Sequence, residues 1–339
     1  MENNTEEFLM EEGAPNAPMQ TVDNLNSKTG GFAYSACVVV FVLISLIFSF
    51  AVMGVPKYGY AYWFLNFLPA PVAICIAIVI TLKKRKISYK AVFPVKCKPK
   101  YYFIALLLVF GLFFSLSQVN DWFLSLFNLE ESETYIELNN FLNDLEGGWV
   151  VLALVVIALL PAIFEEGLFR GVILNSCENS LGTVRTVFLV GFVFSLFHGS
   201  PEQTIYQFVA GCIFALVAIR SGSIIPGIIM HFLNNGIVII LTACNLIGDD
   251  GNLISPTAQT VLMALGFVAL IVGLLLLILD RGAVEKTKFG KKIGVIFENP
   301  PVKPCQKGSV KNFFIYAAVG VGAMAILWII NFVSLFIVS

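Results

Sequence analysis

The chain has 339 residues, of which 58% are apolar and only 13% are charged, with a formal net charge of −1. Soluble domains average about 45–50% apolar and about 25% charged residues, so this composition predicts a membrane protein. The near-zero net charge offers no electrostatic support for binding nucleic acid, and we exclude a nucleic-acid partner. The seven cysteines form no CxxC and no paired spacing, which argues against a disulfide framework or a thiolate metal site.

The chain begins with an acidic, polar stretch and continues as a series of apolar runs. Residues 1–31 lack the basic start and apolar core of a secretory signal, so we predict a disordered tail there. Nine later runs approach the ~20 residues that cross a bilayer as a helix. They cover 32–54, 61–82, 101–119, 149–178, 183–199, 203–220, 223–247, 258–279 and 313–338. The predicted fold is all-α, a polytopic transmembrane helical bundle with about nine spans.

Charge and hydropathy divide the chain further. We predict N-terminal transmembrane helices in 32–127, an acidic outer loop at 128–148, a core in 149–247 and C-terminal helices in 248–339. Eight Lys/Arg lie between Lys83 and Lys100, and eight more lie between Arg281 and Lys311, within a predicted basic loop at 280–312. The positive-inside rule places both loops and the N-terminus in the cytoplasm. For the acidic loop we favour a solvated connection over a lid above the site.

Few ionisable side chains interrupt the apolar runs, and those that do mark a functional interior. Glu165, Glu166 and Arg170 lie in the fourth run, and the chain's two histidines, His198 and His231, lie in the fifth and seventh. Asn235 follows His231 by one helical turn. A rise of ~1.5 Å per residue puts Glu165, His198, His231 and Asn235 at similar depths, which allows one shared site.

Local spacing indicates what each side chain can do. Glu165 and Glu166 point ~100° apart around a helix, and Glu166 and Arg170 are i, i+4 neighbours that can form an ion pair. That pair would leave Glu165 free to face a cavity. Pro161 removes one backbone hydrogen bond a turn earlier, which can kink the helix and admit water. Gly167 and Gly171 form a GxxxG step that lets another helix approach.

Two chemistries fit this set of residues. In the first, Glu165 and an imidazole activate a water molecule while the second imidazole and an amide stabilise the oxyanion of an attacked peptide carbonyl. In the second, Glu165, His198 and His231 hold Zn²⁺, which ionises its bound water. A serine nucleophile is disfavoured, because no Asp lies near Ser195 or Ser200 to orient His198.

Three motifs in this region resemble those of the CPBP intramembrane proteases, also called the CAAX-protease or abortive-infection family. EExxxR is present at Glu165–Arg170, FxxxH at Phe194–His198 and HxxxN at His231–Asn235. The resemblance covers roughly 150–245. It implies that Glu165 and His198 activate water, that His231 and Asn235 bind the oxyanion, and that Glu166 and Arg170 support the site. It also implies a membrane-associated peptide or protein substrate, in some members lipidated, and a bacterial cell membrane. The metal requirement and the oligomeric state stay open.

Other interpretations compete with the peptidase. The carboxylates and Arg170 could form an ion network that fixes helix packing, and the histidines could be polar residues that join helices. Phe194 is assigned to packing, without a catalytic role. A proton-coupled transporter would also use intramembrane Glu and His, although the chain shows no inverted repeat. A non-catalytic membrane immunity or binding protein of the same fold is the remaining alternative.

Overall fold

The computed structural model describes residues 24–116, 119–247, 255–280 and 309–338. Within these ranges the chain is helical and contains no strand. Eight helices are long and apolar enough to cross a membrane, and Thr183–His198 is a ninth apolar helix of 16 residues. The protein is therefore an all-α, multi-pass integral membrane protein, and each of the nine predicted runs overlaps one of these nine apolar helical segments.

The helices are numbered here in chain order. The N-terminal half contains α1 (Ser27–Val52), α2 (Tyr60–Phe67), α3 (Pro69–Arg85), α4 (Tyr89–Val92), α5 (Lys100–Leu116), α6 (Val119–Ser125) and α7 (Glu133–Asn143). The C-terminal half contains α8 (Gly148–Ala153), α9 (Leu160–Glu166), α10 (Leu174–Leu181), α11 (Thr183–His198), α12 (Thr204–Ser221), α13 (Ile225–Ala243), α14 (Pro256–Leu279) and α15 (Val310–Val338). A π-helical turn joins α8 to α9 (Leu154–Leu159), and a second joins α9 to α10 (Gly167–Ile173).

The first membrane helix begins earlier than predicted. Residues 27–31 were assigned to a disordered tail, but α1 starts at Ser27, and Asn26 caps it by accepting from two backbone N–H groups. Gly30 and Gly31 are buried against α10 and α15, where an added Cβ at Gly31 would overlap the Phe313 carbonyl oxygen. Small residues thus let polar sequence pack inside the bundle. Residues 1–23 of the predicted tail lie outside the described residues, as does most of the predicted basic loop 280–312.

Packing places α13 in the middle of the bundle. It contacts the first π turn, α9, α5, α12 and α7, whereas α1 packs on α15 and α3, and α5 packs on α14. Large apolar side chains stay exposed on the outer faces, for example Leu46 and Ile47 of α1 and Val268 of α14. This distribution suits a bundle whose outer surface meets lipid and whose interior holds the polar residues.

The turn between α11 and α12 is shaped by Gly199. This residue ends α11 directly after His198 with φ +62, a left-handed conformation that glycine adopts without strain. Two side chains of α15 hold the turn: Asn331 donates to the Gly199 carbonyl at 2.8 Å, and Trp328 donates to the Thr204 hydroxyl at 2.7 Å. The C-terminal membrane helix therefore fixes the end of the helix that carries His198.

Candidate active site

The helical run from Gly148 to Leu181, here called the site helix, is irregular on both sides of its carboxylates. One π turn ends just before α9, which carries Glu165 and Glu166, and the other starts at Gly167. Single π turns within α-helices are frequent at functional sites, because each inserts an extra residue and redirects the side chains beyond it. Pro161 lies between the first π turn and Glu165, in agreement with the predicted loss of a backbone hydrogen bond.

Glu166 and Arg170 form the ion pair that their spacing predicts. Arg170 Nη1 lies 2.7 Å from Glu166 Oε1, and both side chains are fully buried. The other Arg170 nitrogen, Nη2, donates to the Gly211 carbonyl at 3.1 Å, and the guanidinium carbon lies 4.4 Å from the centre of the Phe194 ring. The pair therefore connects the site helix to α11 and α12 inside the bundle.

His231 lies between the two carboxylates. Its Nδ1 is 3.1 Å from Glu166 Oε1, and its Nε2 is 3.9 Å from Glu165 Oε2. The ~100° separation of neighbouring helical residues thus lets Glu165 and Glu166 reach opposite nitrogens of one ring. Gly227 makes room for this arrangement, since a Cβ there would lie 2.7 Å from Glu166 Oε2. Glu166, predicted only to support the site, bonds directly to one of its histidines.

His198 is held in one orientation by its own helix. Its Nδ1 lies 2.9 Å from the Phe194 carbonyl oxygen, which can only accept, so Nδ1 carries the proton. Nε2 is then left with a lone pair. The Phe194 ring packs edge-on against both imidazoles, with centroids 4.9 Å from His198 and 6.0 Å from His231. The packing role assigned to Phe194 is consistent with this, and the ring separates the two histidines by a fixed distance.

Asn235 belongs to a chain of hydrogen bonds that sequence reasoning missed. Its Nδ2 donates to the Ile157 carbonyl at 3.2 Å, and its Oδ1 accepts from Asn234 Nδ2 at 3.3 Å. The Tyr206 hydroxyl in turn donates to Asn234 Oδ1. Ile157 lies in the first π turn, where backbone hydrogen bonds are shifted by one residue, as the bond from the Leu160 N–H to the Val155 carbonyl shows.

A cavity of about 570 Å³ brings the candidate residues together. Glu165, His198, His231 and Asn235 all line it, and so do the polar residues Tyr206 and Asn234. Five phenylalanines form an apolar part of the wall: Phe41, Phe67, Phe113, Phe114 and Phe197. Glu166 and Arg170 lie behind the wall. The site is therefore a large, mixed polar and apolar chamber inside the bundle.

The acidic segment forms part of this chamber. The favoured interpretation of 128–148 as a solvated connection was wrong, because α7 folds over the cavity and Glu131, Tyr135 and Leu138 line it. Buried Glu202 accepts from the Ser132 backbone N–H at 2.7 Å and so attaches the start of α7 to the turn beyond His198. Contacts distant in sequence decide this position, which composition alone does not reveal.

Two titratable side chains of the acidic segment have raised pKa values where they line the chamber. Burial, together with the nearby carboxylates Asp121 and Glu202, raises the pKa of Glu131 to about 7. Burial also raises the pKa of the Tyr135 phenol, with Glu131 as the next cause. These acidic groups come from the end of the bundle that carries the acidic segment, opposite the basic loop at 83–100.

The described residues contain no group of three or more His, Cys, Asp or Glu side chains placed to hold a metal ion. Glu165 and His231 approach each other within 3.9 Å, but His198 does not complete the set. Zinc requires donors at about 2.0–2.2 Å from the ion, which the present arrangement of the three does not provide. The predicted Zn²⁺ ligands Glu165, His198 and His231 thus do not fit a metal as they stand.

Comparison with known families places this site in context. Residues 147–237 match the family model described as Type II CAAX prenyl endopeptidase Rce1-like. The matched segment contains every predicted site residue, namely Glu165, Glu166, Arg170, His198, His231 and Asn235. It excludes α1–α7 and the two C-terminal membrane helices. Comparisons with curated proteins and with solved structures gave no match.

Proposed function

We propose that this chain, whose residues 147–237 match the family model described as Type II CAAX prenyl endopeptidase Rce1-like, is an intramembrane endopeptidase. Its substrate would be a membrane-associated peptide or protein, whose lipid group could occupy the apolar part of the chamber. The observation that carries the proposal is the approach of Glu165 Oε2 to within 3.9 Å of His231 Nε2 on the wall of a cavity that His198 shares.

Glu165 is the proposed general base. Its Oε2 has no hydrogen-bond partner among the described residues, although the side chain is buried. A buried, unpaired carboxylate oxygen is a strong acceptor for a water proton. His198 Nε2, with its lone pair directed away from Phe194, would accept a hydrogen bond from the same water. As Glu165 takes one proton, the water oxygen attacks the substrate carbonyl carbon as hydroxide, and Glu165 later returns that proton to the leaving amine nitrogen. The carboxylic acid product then gives its remaining proton to His198.

His231 and Asn235 are the proposed oxyanion donors. His231 Nδ1 already donates to Glu166, so donation from Nε2 requires an imidazolium. Glu165, Glu166 and Arg170 together carry one negative charge, and an imidazolium would neutralise the cluster in its low-dielectric surroundings. One N–H of the Asn235 amide bonds Ile157, which leaves the second as a donor at the cavity wall. Donors arranged in advance in this way stabilise the tetrahedral intermediate.

The test is cleavage of prenylated and unmodified membrane peptides by purified protein in lipid. We expect Glu165→Gln and His198→Ala each to lower kcat by about 10²–10⁴-fold, the usual contribution of acid–base groups. Glu146→Gln is the matched control, because Glu146 is exposed and outside the site. A chelator arm tests for a metal. A wild-type protein without cleavage, or a fully active Glu165→Gln variant, would contradict the proposal and favour a binding protein or a transporter.

The remaining assignments are also proposals. We place the protein in a bacterial cell membrane with its N-terminus in the cytoplasm, since both basic loops then face inward. The acidic segment that covers the chamber would in that case lie at the outer face. Cysteine labelling from either side of intact cells, at Lys57→Cys against Lys90→Cys, would test the orientation.

A further inference from the structure

The geometry points to Tyr206 and Asn234 as positioning residues that orient the Asn235 amide, an inference that rests on the proposed peptidase function. Both side chains line the chamber; Tyr206 lies outside the three motifs, and Asn234 occupies a variable position of HxxxN. Tyr206 comes from α12, Asn234 and Asn235 from α13, and Ile157 from the first π turn. The hydrogen bonds among them thus connect three separate helical elements of the site.

The direction of every hydrogen bond in this chain follows from its last acceptor. The Ile157 carbonyl can only accept, so the Asn235 group that faces it must be the NH₂. Asn235 Oδ1 then faces Asn234 and requires a donor, which is the Asn234 NH₂. Asn234 Oδ1 is left to accept from the Tyr206 hydroxyl. A flipped Asn235 would lose its bonds to both Ile157 and Asn234, and a flipped Asn234 would lose its bond to Asn235.

The acceptor of this arrangement lies in the first π turn. Backbone hydrogen bonds there are shifted by one residue, and the Leu160 N–H bonds the Val155 carbonyl. The Ile157 carbonyl in the same turn accepts from the Asn235 side chain, and α13 packs directly against this turn. An acceptor in one helix thus determines which way an amide on another helix points.

The orientation matters because only one edge of the amide can stabilise an oxyanion. With the NH₂ fixed, its second N–H is presented at the cavity wall, whereas a flipped amide would present a carbonyl oxygen. Removing an oxyanion donor costs about 10²–10³-fold in kcat. We expect loss of the Tyr206 hydroxyl to cost about 10-fold or more, with KM nearly unchanged, because only positioning is weakened.

A double-mutant cycle tests the inference. Tyr206→Phe, Asn235→Ala and the combined variant are compared with wild type for kcat and KM. If Tyr206 acts through Asn235, then Tyr206→Phe lowers kcat in the wild-type background and changes nothing further in the Asn235→Ala background. Tyr34→Phe is the matched control, since Tyr34 is also buried but lies on α1 outside the chamber. It should leave both constants unchanged.

The outcomes separate the inference from the proposed function. Equal losses from Tyr206→Phe in both backgrounds, or a rise in KM without a fall in kcat, would overturn the inference while leaving the peptidase intact. A wild-type protein that cleaves none of the peptides would overturn the peptidase function, and the inference with it. A second cycle replaces Tyr206→Phe with Asn234→Ala. Asn234→Ala should also lower kcat in the wild-type background and change nothing further in the Asn235→Ala background.

Discussion

Replacing Arg170 with Met should destabilise the protein more than any surface substitution. The change keeps an apolar stem against Phe194 but removes the partner of the buried Glu166 carboxylate. Leaving one charge of a buried pair uncompensated costs about 3–5 kcal/mol. The Gly211 carbonyl also loses its donor, which adds about 1 kcal/mol. We therefore expect the free energy of unfolding to fall by about 4–6 kcal/mol.

The assay is equilibrium unfolding in mixed lipid–detergent micelles, followed by tryptophan fluorescence. Arg185→Met serves as the control, because Arg185 is exposed and its loss should change stability by less than about 0.5 kcal/mol. The double variant Glu166→Gln/Arg170→Met removes the uncompensated charge and should recover about half of the loss. An Arg170→Met variant within about 1 kcal/mol of wild type, or a double variant no more stable than the single one, would refute the reasoning.

Three further changes probe the site and its cover. Gly227→Ala should lower kcat about 10-fold, because its Cβ would lie 2.7 Å from Glu166 Oε2 and displace that carboxylate from the imidazole. Glu131→Gln should flatten the pH dependence of unfolding, measured by midpoints from pH 4 to 8. With its pKa raised from 4.5 to about 7, Glu131 keeps a proton that the unfolded chain releases, so wild-type stability falls as pH rises through that window and levels off above it. Glu202→Ala should speed hydrogen exchange in α7, since it removes the acceptor of the Ser132 N–H.

Each of these predictions has a matched comparison. Gly236→Ala, whose Cβ would meet its nearest neighbour at an ordinary 3.5 Å, should retain most of the activity that Gly227→Ala loses. Equal activity of the two glycine variants would show that the carboxylate can shift without consequence. Glu133→Ala, which removes an exposed pair with Lys57, should leave exchange in α7 almost unchanged. A steep pH profile in Glu131→Gln would assign the titration to another group.

Hydropathy and helical spacing predicted much of this molecule. Each apolar run overlaps one apolar helical segment. The thickness of a bilayer fixes the length of a spanning helix, so the length of an apolar run is enough to predict it. The Glu166–Arg170 pair followed from i, i+4 spacing, a purely local property. The GxxxG step was only partly informative. Gly171 is approached by the Phe93 ring next to α4 instead of by a membrane helix, since the partner of a small residue is chosen by tertiary packing.

Other features depend on contacts that no local pattern encodes. Ser132 and Glu202 are 70 positions apart, so the placement of α7 over the chamber could not be derived from an acidic composition. The orientation of Asn235 depends on Tyr206 and on a carbonyl in a different helix. The start of α1 at Ser27 reflects burial of small polar residues. Their low hydropathy had led to the prediction that they belong to a disordered tail. In each case a single long-range contact outweighs the local preference.

Because of its two π turns, the site helix depends on its exact number of residues to direct its side chains. Each contains one residue more than a regular α-helical turn needs, and one residue corresponds to a rotation of ~100° about the helix axis. Deleting a single apolar residue from Leu154–Leu159 would restore a regular helix. The part of the helix that precedes the deletion would then be rotated about the helix axis relative to Glu165. In this helix a one-residue deletion would therefore act as a rearrangement, while most conservative replacements at the same positions would merely adjust packing.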